Sequence, residues 1–61
     1  MRELTWKSRF VVRLTALFVQ GGQDTDAAIA DAIAYASKCY PQHKDDTPEL
    51  EAEALHRSLQ N

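Results

Sequence analysis

One cysteine, two histidines and a few clustered carboxylates are the residues of this chain that could do chemistry. Cys39 and His43 stand four positions apart, Asp45 and Asp46 follow at once, and His56 lies further on. Such a set could ligate zinc or pair a thiol nucleophile with an imidazole base. Structural zinc takes four well-placed ligands, commonly from paired Cys or His motifs. This chain has no second cysteine and no HxxxH spacing. Pro41 also interrupts the helical geometry that would bring Cys39 and His43 to one face. A cysteine nucleophile further needs a base and a third group to orient it. The expectation is therefore a packed, inert Cys39 and two solvated histidines, with no metal, no cofactor and no enzymatic activity. Asp24/Asp26 and Asp45/Asp46 precede expected helices, where capping and turn formation account for them. Gly21-Gly22 lacks the spacing, the lysine and the preceding strand of a phosphate-binding loop.

The second chemical signal is basic. Arg2, Arg9 and Arg13 fall on one edge of the first expected helix, with Trp6 on its border. Arginine beside an aromatic ring suits phosphate or a carboxylate-rich protein surface. Three occupants are open: a protein partner docking on Trp6, Arg9 and Arg13, a nucleic acid read by two such stripes on a dimer, or ion pairs to Asp31, Glu49 or Glu53 within the fold or across a dimer. Nucleic-acid-binding domains usually have a pI above about 9, and this chain has a pI near 5.5 and a formal charge of −2. The charge is unevenly spread. Residues 1–20 hold four basic side chains against Glu3 alone, a net of +3, and residues 21–61 hold three against eight acids, a net of −5. A helix-turn-helix reading of the first two helices fails on chemistry, because the second would expose Ala27, Ala30, Asp31 and Ala34. Base edges are read by Arg, Lys, Asn or Gln.

Punctuation divides the chain into three helices. At about 100° per residue, Trp6, Phe10, Val11, Leu14, Leu17 and Phe18 form a broad apolar face on a first helix over about 5–20. Val12, Ala16 and Val19 form a second arc on the same helix, more than one layer of neighbours can cover. A rival reading makes Phe10-Val11-Val12 a short buried strand, for which no pairing strand is evident. Gly21-Gly22 supplies the C-terminal cap. Asp24 or Thr25 starts a second helix over about 25–40, with Ala28, Ala32 and Ala36 along its centre, Ile29, Ile33 and Tyr40 on one side, and Tyr35 and Cys39 on the other. Pro41 should stop it by Tyr40. Thr47-Pro48-Glu49 starts a third over about 48–59, with a thin stripe of Ala52, Leu55 and Leu59 and a possible Glu53–Arg57 pair.

Sixty-one residues allow one domain and one small core. A lone cysteine rules out an internal disulfide and fits a reducing, cytoplasmic setting. The stretch Phe10–Val19 contains Arg13 and is half the length of a membrane-spanning helix, and it fits a signal peptide poorly. The sequence thus predicts an all-α, three-helix unit: a helical hairpin with a shorter helix packed across it, assembled as a homodimer that covers the second arc of the first helix. The expected function is that of a small non-catalytic interaction module, an adaptor or protein inhibitor. Its expected contact residues are Trp6, Arg9, Val12, Arg13, Ala16 and Val19. Chains this short that stand alone are frequent in phages and mobile elements. The alternative is a dimeric nucleic-acid-binding regulator using Arg2, Arg9 and Arg13.

Overall fold

The computed structural model describes residues 1–60 and contains three helices: α1 (Glu3–Gln20), α2 (Thr25–His43) and α3 (Pro48–Gln60). Phe10, Val11 and Val12 lie inside α1, and no strand occurs among the described residues. The first helix closes as its glycines predict. Gly21 N–H donates to the Leu17 and Phe18 carbonyls, Gly22 N–H to Val19 and Gln23 N–H to Phe18, while Gly22 takes φ = 101°. Only glycine adopts that left-handed geometry without strain. Asp24 caps α2, its Oδ2 accepting from the Asp26 and Ala27 amides at 3.1 and 3.2 Å.

The expected bounds hold to within two residues, with α1 starting at Glu3 and α3 reaching Gln60, except at the end of α2. α2 does not stop at Tyr40 but runs through Pro41 to His43. Proline removes one amide, and in the last turn that costs a single bond to the carbonyl four residues back. Ser37 and Pro41 are both exposed, so water can serve that carbonyl. The extra turn carries His43 to the C-terminal end of α2, within reach of Asp46 in the turn before α3.

Trp6, Phe10 and Leu14 are fully buried on α1 and pack against Ala32 and Ala36 of α2 and Ala52 of α3. Trp6 and Phe10 stack with centroids 5.1 Å apart, and Tyr40 meets the indole edge-on at 5.6 Å. Large residues on one helix thus face alanines on two others, which lets the backbones approach closely. Tyr35, Cys39, Tyr40, Phe18 and Leu55 close the margins.

The directions of the helices follow from their cross-links. Trp6 meets Tyr40 and Phe18 meets Tyr35, as in an antiparallel α1–α2 hairpin. The links to the third helix and its entry join Trp6 to Asp46, Arg9 to Glu49 and Arg13 to Glu53, each at the same separation of 40 residues. A constant offset means that α3 runs parallel to α1. Rather than lying across both helices of the hairpin, α3 packs on α1, which touches both neighbours while α2 and α3 hardly meet. Among the described residues no helix is long and apolar enough to cross a membrane.

Candidate partner-binding face

Burying Trp6, Phe10 and Leu14 turns the opposite side of α1 outward. Val12 is 71% exposed there and Val19 is 39% exposed, with Ala16 half-buried between them. The face continues onto α2 through Ile33, 53% exposed, and Ile29, 38% exposed. Two shallow hollows run along the α1–α2 groove. One is floored by Val11, Val12 and Ile33, the other by Val12, Ala16, Val19 and Ile29. A third hollow lies on the α3 side of Val12, between Ser8, Ala16 and the Arg9–Glu49 pair. Val12 therefore stands as a ridge with a groove on each side. Of the residues expected to flank the alanine line of α2, Tyr35, Cys39 and Tyr40 pack against the core, while Ile29 and Ile33 join the open face.

The arginine stripe is engaged within the fold. Arg9 forms a two-point pair with Glu49, Nε to Oε2 at 2.7 Å and Nη2 to Oε1 at 2.6 Å. That hydrogen-bonded pair holds the Glu49 carboxyl below the usual range and raises the Arg9 guanidinium. Arg13 Nε donates to Glu53 Oε2 at 3.2 Å, so Glu53 turns to Arg13 rather than to Arg57. Asp31, a third expected acceptor, takes a bond from Gln23 Nε2 at 2.8 Å. Arg2 is exposed and joins no ion pair among the described residues. Both pairs straddle the α1–α3 seam and leave that rim of the face close to neutral.

Trp6 does not belong to the surface. Its side chain is fully buried, and Nε1–H donates to the Asp46 carbonyl oxygen at 2.9 Å. The residue shares the i, i+4, i+8 line of Phe10 and Leu14, which is the core line of α1. A buried indole wants one acceptor for its N–H, and the turn before α3 supplies it.

The chemistry-bearing residues of α2 and α3 come together only in part. His43 Nδ1 lies 2.9 Å from Asp46 Oδ2, and Nε2 lies 3.4 Å from Glu51 Oε1. Their donor atoms fall within 4.8 Å of one another, making this the group best able to approach a cation. One imidazole and two carboxylates at the surface fall short of the four ligands of a structural zinc site. Their evident service is to tie the end of α2 to the start of α3. Glu51 was not among the residues expected in this group; it lies in the first turn of α3, where the dipole favours a carboxylate. Cys39 and His56 stay apart from this group. Burial, with Glu51 adding to it, pushes the Cys39 thiol up and keeps it protonated, the opposite of what a nucleophile needs. His56 lies against the Phe18 ring at 5.8 Å.

The chain thus offers an open apolar face bordered by neutralised charge. Comparisons with protein-family models, curated proteins and solved structures find no match for this chain.

Proposed function

We propose that this protein is a non-catalytic interaction module that works by docking the apolar α1–α2 face onto a protein surface, as an adaptor or an inhibitor does. The observation that carries the reading is the side of α1 turned away from the core. A helix on the surface of a monomer normally presents charge there, and this one presents Val12 and Val19, continued by Ile29 and Ile33 of α2. Contiguous exposed apolar surface of this kind marks interaction sites. The cationic rim adds direction more than attraction, since Arg9 and Arg13 already have carboxylate partners.

The test is the double substitution Val12→Asp with Val19→Asp. Both side chains are exposed, so the helical circular dichroism should survive. Assembly seen by light scattering should be lost, or, where the wild type is monomeric, binding of an apolar dye should be lost. A folded double variant that keeps whichever of the two the wild type shows overturns the reading.

The nucleic-acid alternative needs Arg2, Arg9 and Arg13 free to meet phosphates, and two of the three are paired. It would require affinity that falls steeply with salt. The expected result is no mobility shift on DNA or RNA at low salt.

A further inference from the structure

We infer that the occupant of this face is a second copy of the chain, with α1 packed antiparallel on α1 of its partner about a two-fold axis. The inference rests on reading the α1–α2 face as a docking surface, and it names what docks there.

Spacing is the first argument. Ser8, Val12, Thr15 and Val19 are separated by four, three and four residues. That is the rhythm of a coiled-coil seam, and at 100° per residue it keeps all four within a narrow stripe opposite Trp6, Phe10 and Leu14. The stripe carries no charge. The Thr15 hydroxyl oxygen is itself buried in the monomer although the residue is only half-buried. What Thr15 offers outward is therefore carbon.

Volume selects the direction. Antiparallel pairing sets Ser8 against the partner's Val19 and Val12 against the partner's Thr15. Every layer then joins one larger and one smaller residue, the arrangement that interdigitates best. Parallel pairing would stack Val12 on Val12 and Ser8 on Ser8, alternating crowded and hollow layers.

Charge selects a copy over a foreign protein. Two-fold symmetry places a patch against itself, so a charged rim would meet its own sign. Here Arg9 is cancelled by Glu49, Arg13 by Glu53 and Lys7 by Glu3 at 2.7 Å, and the α2 border is Ile29 and Ile33. Such a face carries no like-charge penalty against itself and offers little to a strongly charged partner.

The size is sufficient. Eighteen residues of α1 span about 27 Å, and with α2 alongside the swath is about 20 Å wide, on the order of 500 Å² in projection. Accessible area exceeds projection, so the roughly 800 Å² per partner of a standard interface is within reach. That would be about a fifth of the chain's 4035 Å².

The experiment uses the full chain with Cys39→Ser, so that only introduced thiols can pair. Light scattering should give a dimer, and Val12→Asp should raise its dissociation constant on the order of 100-fold, since symmetry places the change twice in one interface. Oxidation should cross-link the double variant Ser8→Cys with Val19→Cys into a covalent dimer, and neither single variant. In the antiparallel register equivalent thiols lie about 16 Å apart, beyond disulfide reach. Cross-linking of a single variant overturns the antiparallel geometry. A monomer at high concentration whose face still binds an apolar dye overturns the second copy but leaves the docking face standing. A dimer untouched by Val12→Asp with Val19→Asp overturns both.

Discussion

The Trp6 indole holds neighbours of two kinds at once, stacking on Phe10 and donating its N–H to the turn that leads into α3. Replacing it by phenylalanine keeps a ring in the core but shortens it and removes the donor. Trp6→Phe should cost about 1–3 kcal/mol, the range for a partly filled cavity plus one lost hydrogen bond. Chemical denaturation followed by circular dichroism checks it, because the chain has no other tryptophan to report. Glu49 gives a prediction in pH. Its pairing with Arg9 lowers the folded-state pKa, so the stabilisation is present above the ordinary glutamate value of 4.5 and is lost as the pH falls through the depressed folded value. Thermal midpoints of the wild type should therefore decline below about pH 4.5, and Glu49→Gln should flatten part of that decline. A variant with the same acid slope as the wild type would show that the pair adds nothing.

Each helix is delimited by a residue whose backbone preference is stronger than that of its neighbours. Gly22 is the clearest case, since a Cβ there would meet no atom within 4 Å. The cost of Gly22→Ala is therefore the left-handed φ alone, about 1 kcal/mol, and a fall of several degrees in thermal midpoint is expected. These punctuation marks explain why the fold was legible in the sequence. Gly21-Gly22, Asp24 and Thr47-Pro48 act within a few residues, so three helices could be placed from local preference. The four-residue repeat of Ala28, Ala32 and Ala36 likewise gave the buried line of α2 directly. Two features were not legible. Pro41 suggested an end to α2, but its penalty depends on whether the orphaned carbonyl reaches water, which local pattern does not contain. α1 carries two apolar arcs, and although the arc of Val12, Ala16 and Val19 was expected to face outward, periodicity alone leaves Trp6, at the border of the arginine stripe, on either side. Packing large rings against alanines from two helices decides for Trp6, Phe10 and Leu14, and this took Trp6 out of the candidate surface. The pairing of Arg9 and Arg13 was readable as an option because the acids were at hand. Choosing Glu49 and Glu53 needed the parallel register of α3.

At the scale of the molecule, α1 is the shared partner of both other helices, and they scarcely touch each other. The candidate face is the outward side of that same helix, so the element that organises the core also organises the proposed interface. The constant offset between α1 and the α3 region has a consequence for the order of events in folding. The aromatic links between α1 and α2 close spans of 17 residues at Phe18–Tyr35 and 34 at Trp6–Tyr40, whereas the three α1–α3 links each close a span of 40 residues. Loop-closure entropy grows as the logarithm of the span, so a 40-residue closure costs about 0.8 kcal/mol more than the 17-residue closure nearest the hairpin turn. The hairpin therefore forms first and α3 docks last, on a surface already assembled. Run backwards, the same asymmetry makes α3 the first part to leave. Native-state hydrogen exchange should find the amides of Ala52 and Leu55 opening at lower free energy than those of Phe10 and Ala32, with the indole N–H of Trp6 exchanging alongside α3 rather than with its own helix.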